Sequence, residues 1–167
     1  MKDKLQNALL LISSKVESNK YLGSIKEAFT MFVPFIIVGS FGSMLNILVS
    51  GANGLAQWFP WLTHLSPAFT TISFVSINCM SLPIAYLIGY KLAAKEKVPQ
   101  LESGLIGLLA YLAVCPNTIS TVVEGIKDPV VVSGLGSSVI GAQGLFVSMI
   151  MSILAVKLFK VLTSIEA

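Results

Sequence analysis

Long apolar runs separated by short polar stretches organise this chain. From Ala28 to Tyr90 there is no Lys, Arg, Asp or Glu. A charged side chain at a bilayer centre costs roughly 2.5–3.5 kcal/mol on insertion scales, so a gap of this length predicts membrane-embedded helices. Apolar segments at about 25–49, 67–90, 99–123 and 139–162 each approach the ~20 residues that a helix needs to cross a bilayer. The pattern predicts an all-α polytopic membrane protein with an N-terminal amphipathic helix and about four transmembrane helices.

The N-terminal segment has a different period. Leu5, Leu9, Ile12 and Val16 share one helical stripe, and Lys4, Asn7, Lys15 and Glu17 lie elsewhere on the wheel. This predicts an amphipathic helix within 1–23, either lying in the headgroup layer with its lysines toward anionic lipid or packed on the rest of the protein. Residues 24–167 form the membrane domain. Ser24-Ile25-Lys26-Glu27 has the S-x-x-E spacing of a capping box, which starts the first span near Ile25. Running to about Val49, it is on the order of 37 Å long. Pro34 predicts a kink, and Gly39 and Ser43 form a small-xxx-small packing face.

The stretch from Gly51 to Ser66 reads as a loop, with Trp58 and Trp61 suited to an interfacial belt. His64 has no carboxylate, Ser or Cys constellation beside it and reads as a solvated loop histidine. Ser66-Pro67 predicts an N-cap followed by proline at the first helical position. Asn78 and Pro83 interrupt the second span. An amide at that depth needs a partner, so Asn78 reads first as interhelical glue and, as the sharper alternative, as a lining residue of a sugar path.

Pro99 opens the third span, which Cys115-Pro116-Asn117 interrupts. It either kinks at Pro116, the simpler reading, or breaks there into a short helix and a re-entrant piece; Asn117 and Thr118 are then pathway candidates. Between Glu124 and Ser138, the run Val130 to Val132 suggests a loop with a short hairpin. Along the fourth span Gly141, Gly144, Ser148, Ser152 and Ala155 recur every three or four residues. That stripe predicts close contact with another helix and not a ligand.

Composition agrees with a membrane class. Only 11% of residues are charged, against about 25% in a soluble domain, and the mean hydropathy is +0.83. The net charge of +3 comes from lysine clusters between the apolar runs, so it bears on orientation and gives nucleic-acid binding no support. Lysines concentrate in the N-terminal segment, the second loop and the C-terminal end, while the other two loops hold only Lys127. The positive-inside rule then places both termini in the cytoplasm. Cys79 and Cys115 lie in apolar runs with no C-x-x-C and no nearby His, and read as small hydrophobes. No metal set, cofactor motif or catalytic triad appears, and no carboxylate sits in a predicted span beyond its first turn, where Glu27 and Glu102 stand. The N-terminal apolar patch is shorter than a signal-peptide core, so the first span is expected to direct insertion.

Two blocks carry a family resemblance. Ile25-Lys26-Glu27-Ala28-Phe29 with Pro34-Phe35-Ile36-Ile37-Val38-Gly39-Ser40, and Gly141-Ala142-Gln143-Gly144-Leu145-Phe146-Val147, resemble enzyme IIC sugar permeases of the phosphoenolpyruvate-dependent phosphotransferase system, nearest the lactose/cellobiose/diacetylchitobiose branch. The resemblance implies a multi-pass protein of the cell membrane, bacterial by family, that takes up a β-disaccharide as it is phosphorylated. IIA and IIB partner proteins would relay the phosphate. It further implies a dimer-contact first half and a sugar-gripping second half, and only the first is matched here. His64 is in the wrong half to serve as the family's sugar-site histidine, so no catalytic or sugar-binding residue transfers. The expectation is a truncated or split scaffold and dimerisation portion. The alternatives are a small homo-oligomeric channel or solute carrier, packed through Gly39/Ser43 and Gly141/Ser152, and a membrane subunit that does not transport.

Overall fold

The computed structural model describes residues 19–50, 54–121 and 130–165. The amphipathic helix expected over 1–23 lies, up to residue 18, outside the described residues. Helix α1 runs Lys20–Ser50, about 46 Å at 1.5 Å per residue, and continues through Pro34. It begins earlier than the capping box implied. The Asn19 side-chain oxygen accepts the backbone N–H of Tyr21 at 3.0 Å and of Leu22 at 3.5 Å, satisfying amides that a helix start leaves free. Ser24 instead donates back to the Lys20 carbonyl at 2.6 Å from inside the helix, and Glu27 pairs with lysines on another helix.

The second segment is bent rather than a single helix over 67–90. A tight helical turn, Pro60–Leu65, leads into α2, Ser66–Ser73. A wide turn over Phe74–Asn78 follows, and then α3, Ser81–Glu96. The two parts meet at 45°. Pro83 explains the position of the bend: its missing amide and its ring disfavour a helical carbonyl four residues back, at Cys79, whose φ and ψ are −109° and 16°. Ser66 is not the expected N-cap, because the turn before it already carries helical backbone. Its hydroxyl donates to the Asn46 side chain at 2.7 Å and accepts from Ser50 at 2.8 Å, tying α2 to α1. Lys97 ends α3 in the left-handed region at φ 57°.

Helix α4 spans only Gln100–Val114, not 99–123. The residue before a proline is pushed out of the helical region, and Cys115 is extended at φ −68°, ψ 134°. The chain then forms β1, Thr118–Thr121, paired antiparallel with β2, Val130–Ser133, in the register Thr118↔Ser133 to Thr121↔Val130. The hairpin expected around Val130–Val132 thus draws its partner strand from residues assigned to the third span. The fourth span is also interrupted. A short turn α5, Ser137–Ile140, ends at an extended Gly141, a tight turn covers Ala142–Gly144, and α6 runs Leu145–Ile165.

Helix α3 is central and packs on α1, α4 and α6. Ala28 and Phe32 of α1 meet Ile84 and Ile88 of α3, with Leu145, Met149 and Ile153 of α6 closing the cluster. Small residues bring the backbones together. A Cβ on Gly89 would stand 2.7 Å from the Ser103 carbonyl oxygen, and one on Gly107 would stand 2.8 Å from the Ser152 hydroxyl. Among the described residues, two helical stretches are long and apolar enough to cross a membrane, α1 and Ala142–Ile165, and the bent α2–α3 pair makes a third if it is one span. Their outer flanks expose large apolar side chains such as Phe35, Phe41, Ile47, Phe146 and Leu158, as lipid-facing or partner-facing surfaces do.

Candidate functional site

Two helix interruptions face each other inside the bundle. A Cβ on Gly141 would lie 3.1 Å from the Asn78 carbonyl oxygen, so the Phe74–Met80 bend and the Gly141–Gly144 break are in direct backbone contact. A broken helix frees carbonyls that hydrocarbon cannot satisfy. Two hydroxyls do so here. Ser81, which is buried, donates to the Ile140 carbonyl at 2.5 Å. Tyr111 on α4, 1% exposed, lies 2.5 Å from the Val139 carbonyl and 3.1 Å from the Ser81 hydroxyl. One phenolic hydrogen serves that corner, and the shorter contact and the acceptor-only carbonyl direct it to Val139.

Beside this knot is a recess of about 310 Å³ lined by Tyr111, Cys115, Pro116, Ser138, Gln143 and Val147 among others. A second, more apolar groove of about 450 Å³ lies in the crook of the bent pair against α1, lined by Phe32, Phe35, Ser76, Cys79, Pro83 and Tyr86 among others. Asn78 and Asn117 line neither recess. Both asparagines are exposed, and the Asn117 backbone carbonyl accepts from the Gly134 amide at 2.9 Å. Thr118 starts β1, and His64 is exposed on the Pro60–Leu65 turn. Cys79 and Cys115 are free thiols in different recesses. Among the described residues no group of three His, Cys, Asp or Glu is arranged to hold a metal ion.

The small residues all face inward. Gly39 abuts Ser76 and Ile77, where a Cβ would stand 2.6 Å from the Ser76 Cβ, and the Ser43 hydroxyl meets that of Ser73 at 2.5 Å. Gly141 touches the bend, and a Cβ on Gly144 would collide with the Val139 carbonyl and the Tyr111 hydroxyl. Ser148 donates to the Leu145 carbonyl at 2.7 Å, and Ser152 donates to the Ala85 carbonyl on α3. Tyr111, Ser81 and Gln143 are the residues that the sequence reading missed. The available signal was the position of two hydroxyls close to helix-breaking prolines, Ser81 before Pro83 and Tyr111 before Pro116.

At the other end of the bundle the lysines are engaged. Glu96, its side chain 5% exposed, gives one carboxylate oxygen to Lys20 on α1 and the other to Lys160 on α6, the latter at 2.5 Å. Glu27 meets Lys95 at 2.9 Å and Lys91 at 3.7 Å. Lys20 opens α1, Glu96 ends α3 and Lys160 lies near the end of α6, at the margin of the apolar stretches. The hydrogen bond from Lys160, then that from Lys20, holds the Glu96 carboxyl below the ordinary glutamate range. The Glu96 hydrogen bond raises Lys20.

Interrupted apolar helices with hydroxyl-satisfied breaks place the chain in the class of helical membrane proteins, and discontinuous spans of this kind recur among transporters. A family model described as the phosphotransferase system EIIC matches residues 26–166, and the chain belongs to that family. It is 30% identical over 162 residues to the cellobiose-specific EIIC component of Geobacillus stearothermophilus, covering 93% of this chain and 35% of that one. It is 28% identical over 164 residues to the lichenan permease IIC component of Bacillus subtilis (strain 168), covering 95% and 35%. The crystal structure of the transporter ChbC, the IIC component of an N,N'-diacetylchitobiose-specific phosphotransferase system, superposes with a TM-score of 0.81 at 26% identity, covering 97% of this chain and 38% of ChbC. The chain therefore spans about a third of the length of these relatives. The resemblance read from the Ile25–Phe29, Pro34–Ser40 and Gly141–Val147 blocks is borne out, and these relatives are named as permease or EIIC components rather than enzymes.

Proposed function

We propose that this chain is the scaffold and dimerisation portion of a IIC permease for uptake and phosphorylation-coupled transport of a β-disaccharide of the cellobiose, lactose or chitobiose type. The observation that carries this reading is the EIIC match across 26–166, joined to coverage of only 35% of the cellobiose-specific relative. IIA and IIB proteins are the partners, a bacterial plasma membrane is the location, and phosphoryl transfer belongs to those partners. In this reading four spans cross the bilayer: α1, the bent α2–α3 pair, α4 with its extended tail, and the α5–α6 segment. Salt bridges that gather the start of α1 and the ends of α3 and α6 support an even number of crossings with both termini in the cytoplasm. The dimer forms through the exposed apolar flank of α1, Phe35, Val38 and Phe41 among it, because the Gly39 and Gly144 faces are occupied by the chain's own helices. That occupation also removes the faces on which a homo-oligomeric channel would rely.

The test is equilibrium binding of cellobiose and related β-disaccharides to the purified chain in detergent, with and without IIB, with mass read by light scattering on the same sample. The scaffold reading expects a dimer that binds no sugar saturably. Selective, saturable binding would overturn it and make Asn78 and Asn117 the first residues to mutate. A monomer would remove the dimerisation role.

A further inference from the structure

Among the described residues, the charges where α1 begins and α6 ends do not balance. The Tyr21 ring has the Lys20 ammonium 5.3 Å from its centroid and the Lys157 ammonium 4.7 Å away. Lys20 and Lys160 also share the Glu96 carboxylate. Among the described residues, three ammoniums therefore meet a single carboxylate, and both oxygens of that carboxylate are taken by Lys20 and Lys160. Lys157 has no Asp or Glu partner among the described residues. An aromatic face attracts a cation through its quadrupole, but it carries no net charge. Lys20 is already met by Glu96, so Lys157 is the ammonium at this ring without a carboxylate, and an anion placed beside the ring supplies its missing partner.

The surroundings decide what kind of anion. Leu158, Val161 and Leu162, interleaved with Lys157 and Lys160 on α6, are each more than half exposed. Apolar surface beside unbalanced ammoniums matches the boundary where acyl chains give way to headgroups, and a soluble anion would use only the charged part of it. We propose that the Lys20–Tyr21–Lys157 seam between α1 and α6 is a binding site for the phosphate headgroup of an anionic phospholipid. The headgroup phosphate accepts from Lys157 and Lys20 beside the Tyr21 ring, and the acyl chains lie along the outer flank of α6. The site stands on the charge and geometry of this chain and does not depend on which sugar a IIC protein carries.

The test is titration of the detergent-purified chain with phosphatidylglycerol, read as retained lipid by native mass spectrometry, with phosphatidylcholine as the neutral comparison. Lys157→Gln is expected to weaken phosphatidylglycerol retention about fivefold, the size of one lysine's attraction to an anionic surface. Lys157→Arg should retain it. Lys97→Gln removes an exposed lysine at the same end of the bundle and should leave it unchanged. Lys20→Gln gives a second reading from the other side of the ring, with a loss of similar size. Retention unaffected by Lys157→Gln, an equal loss from Lys97→Gln, or equal retention of phosphatidylcholine would each overturn the site. Full displacement of the lipid by inorganic phosphate or glycerol 3-phosphate would overturn the lipid assignment in favour of a soluble anion.

Discussion

The lysine-bearing end of this bundle and its interior hold helices together by different physics. At the lysine-bearing end, Glu27 and Glu96 tie α1, α3 and α6 through ammonium–carboxylate pairs whose lysines remain partly exposed. At the opposed helix breaks, Ser81 and Tyr111 do so through neutral hydroxyls given to backbone carbonyls in a buried setting, and Ser152 gives a third to Ala85 within α3. The charged contacts sit where water can screen them, and each is worth little by itself. The two at the breaks sit where nothing else can satisfy a freed carbonyl, so their loss costs the full desolvation of that group. Architecture in this chain therefore rests more on three hydroxyls and a few glycines than on its more conspicuous ion pairs.

The strongest way to break that comparison is at Gly144. A Cβ there meets the Val139 carbonyl and the Tyr111 hydroxyl, both fixed to the break itself, so no flexible side-chain end can yield. Gly144→Leu should destabilise by about 3 kcal/mol or more, seen as loss of monodisperse protein on detergent sizing. Gly134→Ala is the matched control, since its new Cβ would meet only the movable tip of Ile119 at 3.2 Å. A Gly144→Leu protein that folds and sizes like the parent would show that the two breaks are not packed as described.

Next in size is the hydroxyl itself. Tyr111→Phe keeps the ring and removes the hydrogen given to the Val139 carbonyl, leaving a buried acceptor unpaired at a cost of about 1–3 kcal/mol. Ser81→Ala should cost a similar amount through Ile140. Because the two oxygens lie 3.1 Å apart, the double variant should lose less than the two single losses together, as contacting residues do. Strict additivity in thermal melts would mean that they act as separate pairs.

The same contrast explains what was legible in the sequence. The absence of charge from Ala28 to Tyr90 and the spacing of Gly144, Ser148 and Ser152 are one-dimensional signals, and they give a helical membrane protein with closely packed faces. The interruptions are three-dimensional. Pro83 and Pro116 announced that helices would be disturbed, but whether a span kinks, bends by 45° or stops depends on what receives the freed carbonyls. At the Gly141 break the groups that receive freed carbonyls are distant in sequence: Ser81 serves Ile140, and Tyr111 serves Val139. Thr118–Thr121 became a strand because Val130–Ser133 lay opposite, which no local period reveals. The capping box failed for a related reason, since Glu27 had lysines on α3 to meet and Asn19 stood ready to cap.

Breaking the charged end should cost less. Glu96→Gln leaves Lys20 and Lys160 without their shared anion, yet both lysines are nearly half exposed. A fall in melting temperature of about 2–4 °C is expected, the size of a well-placed but screened pair in a protein of this length. The pH dependence has a definite sign. A carboxyl whose folded pKa is lowered, as Lys160 and Lys20 lower that of Glu96, stabilises fully above the unfolded glutamate value of about 4.3 and loses that contribution as pH falls through the folded value. Melting curves for parent and Glu96→Gln should therefore differ at neutral pH and converge in acid. A gap that persists in acid would assign the loss to packing rather than charge.

The smallest expected effect sharpens the comparison at Asn78. Sequence reasoning favoured interhelical glue, because an amide within a span needs a partner. Here its side chain is exposed, and the helix bend is held through its backbone carbonyl against Gly141 and through Ser81. Asn78→Ala should then change stability by less than about 0.5 kcal/mol, as exposed substitutions away from such contacts do. In membranes an exposed amide still has to be satisfied by something outside this chain, so the variant should show its effect in assembly or ligand binding. A thermal loss as large as that of Tyr111→Phe would return Asn78 to the neutral network, and the bend would then be held by an amide as well as by hydroxyls.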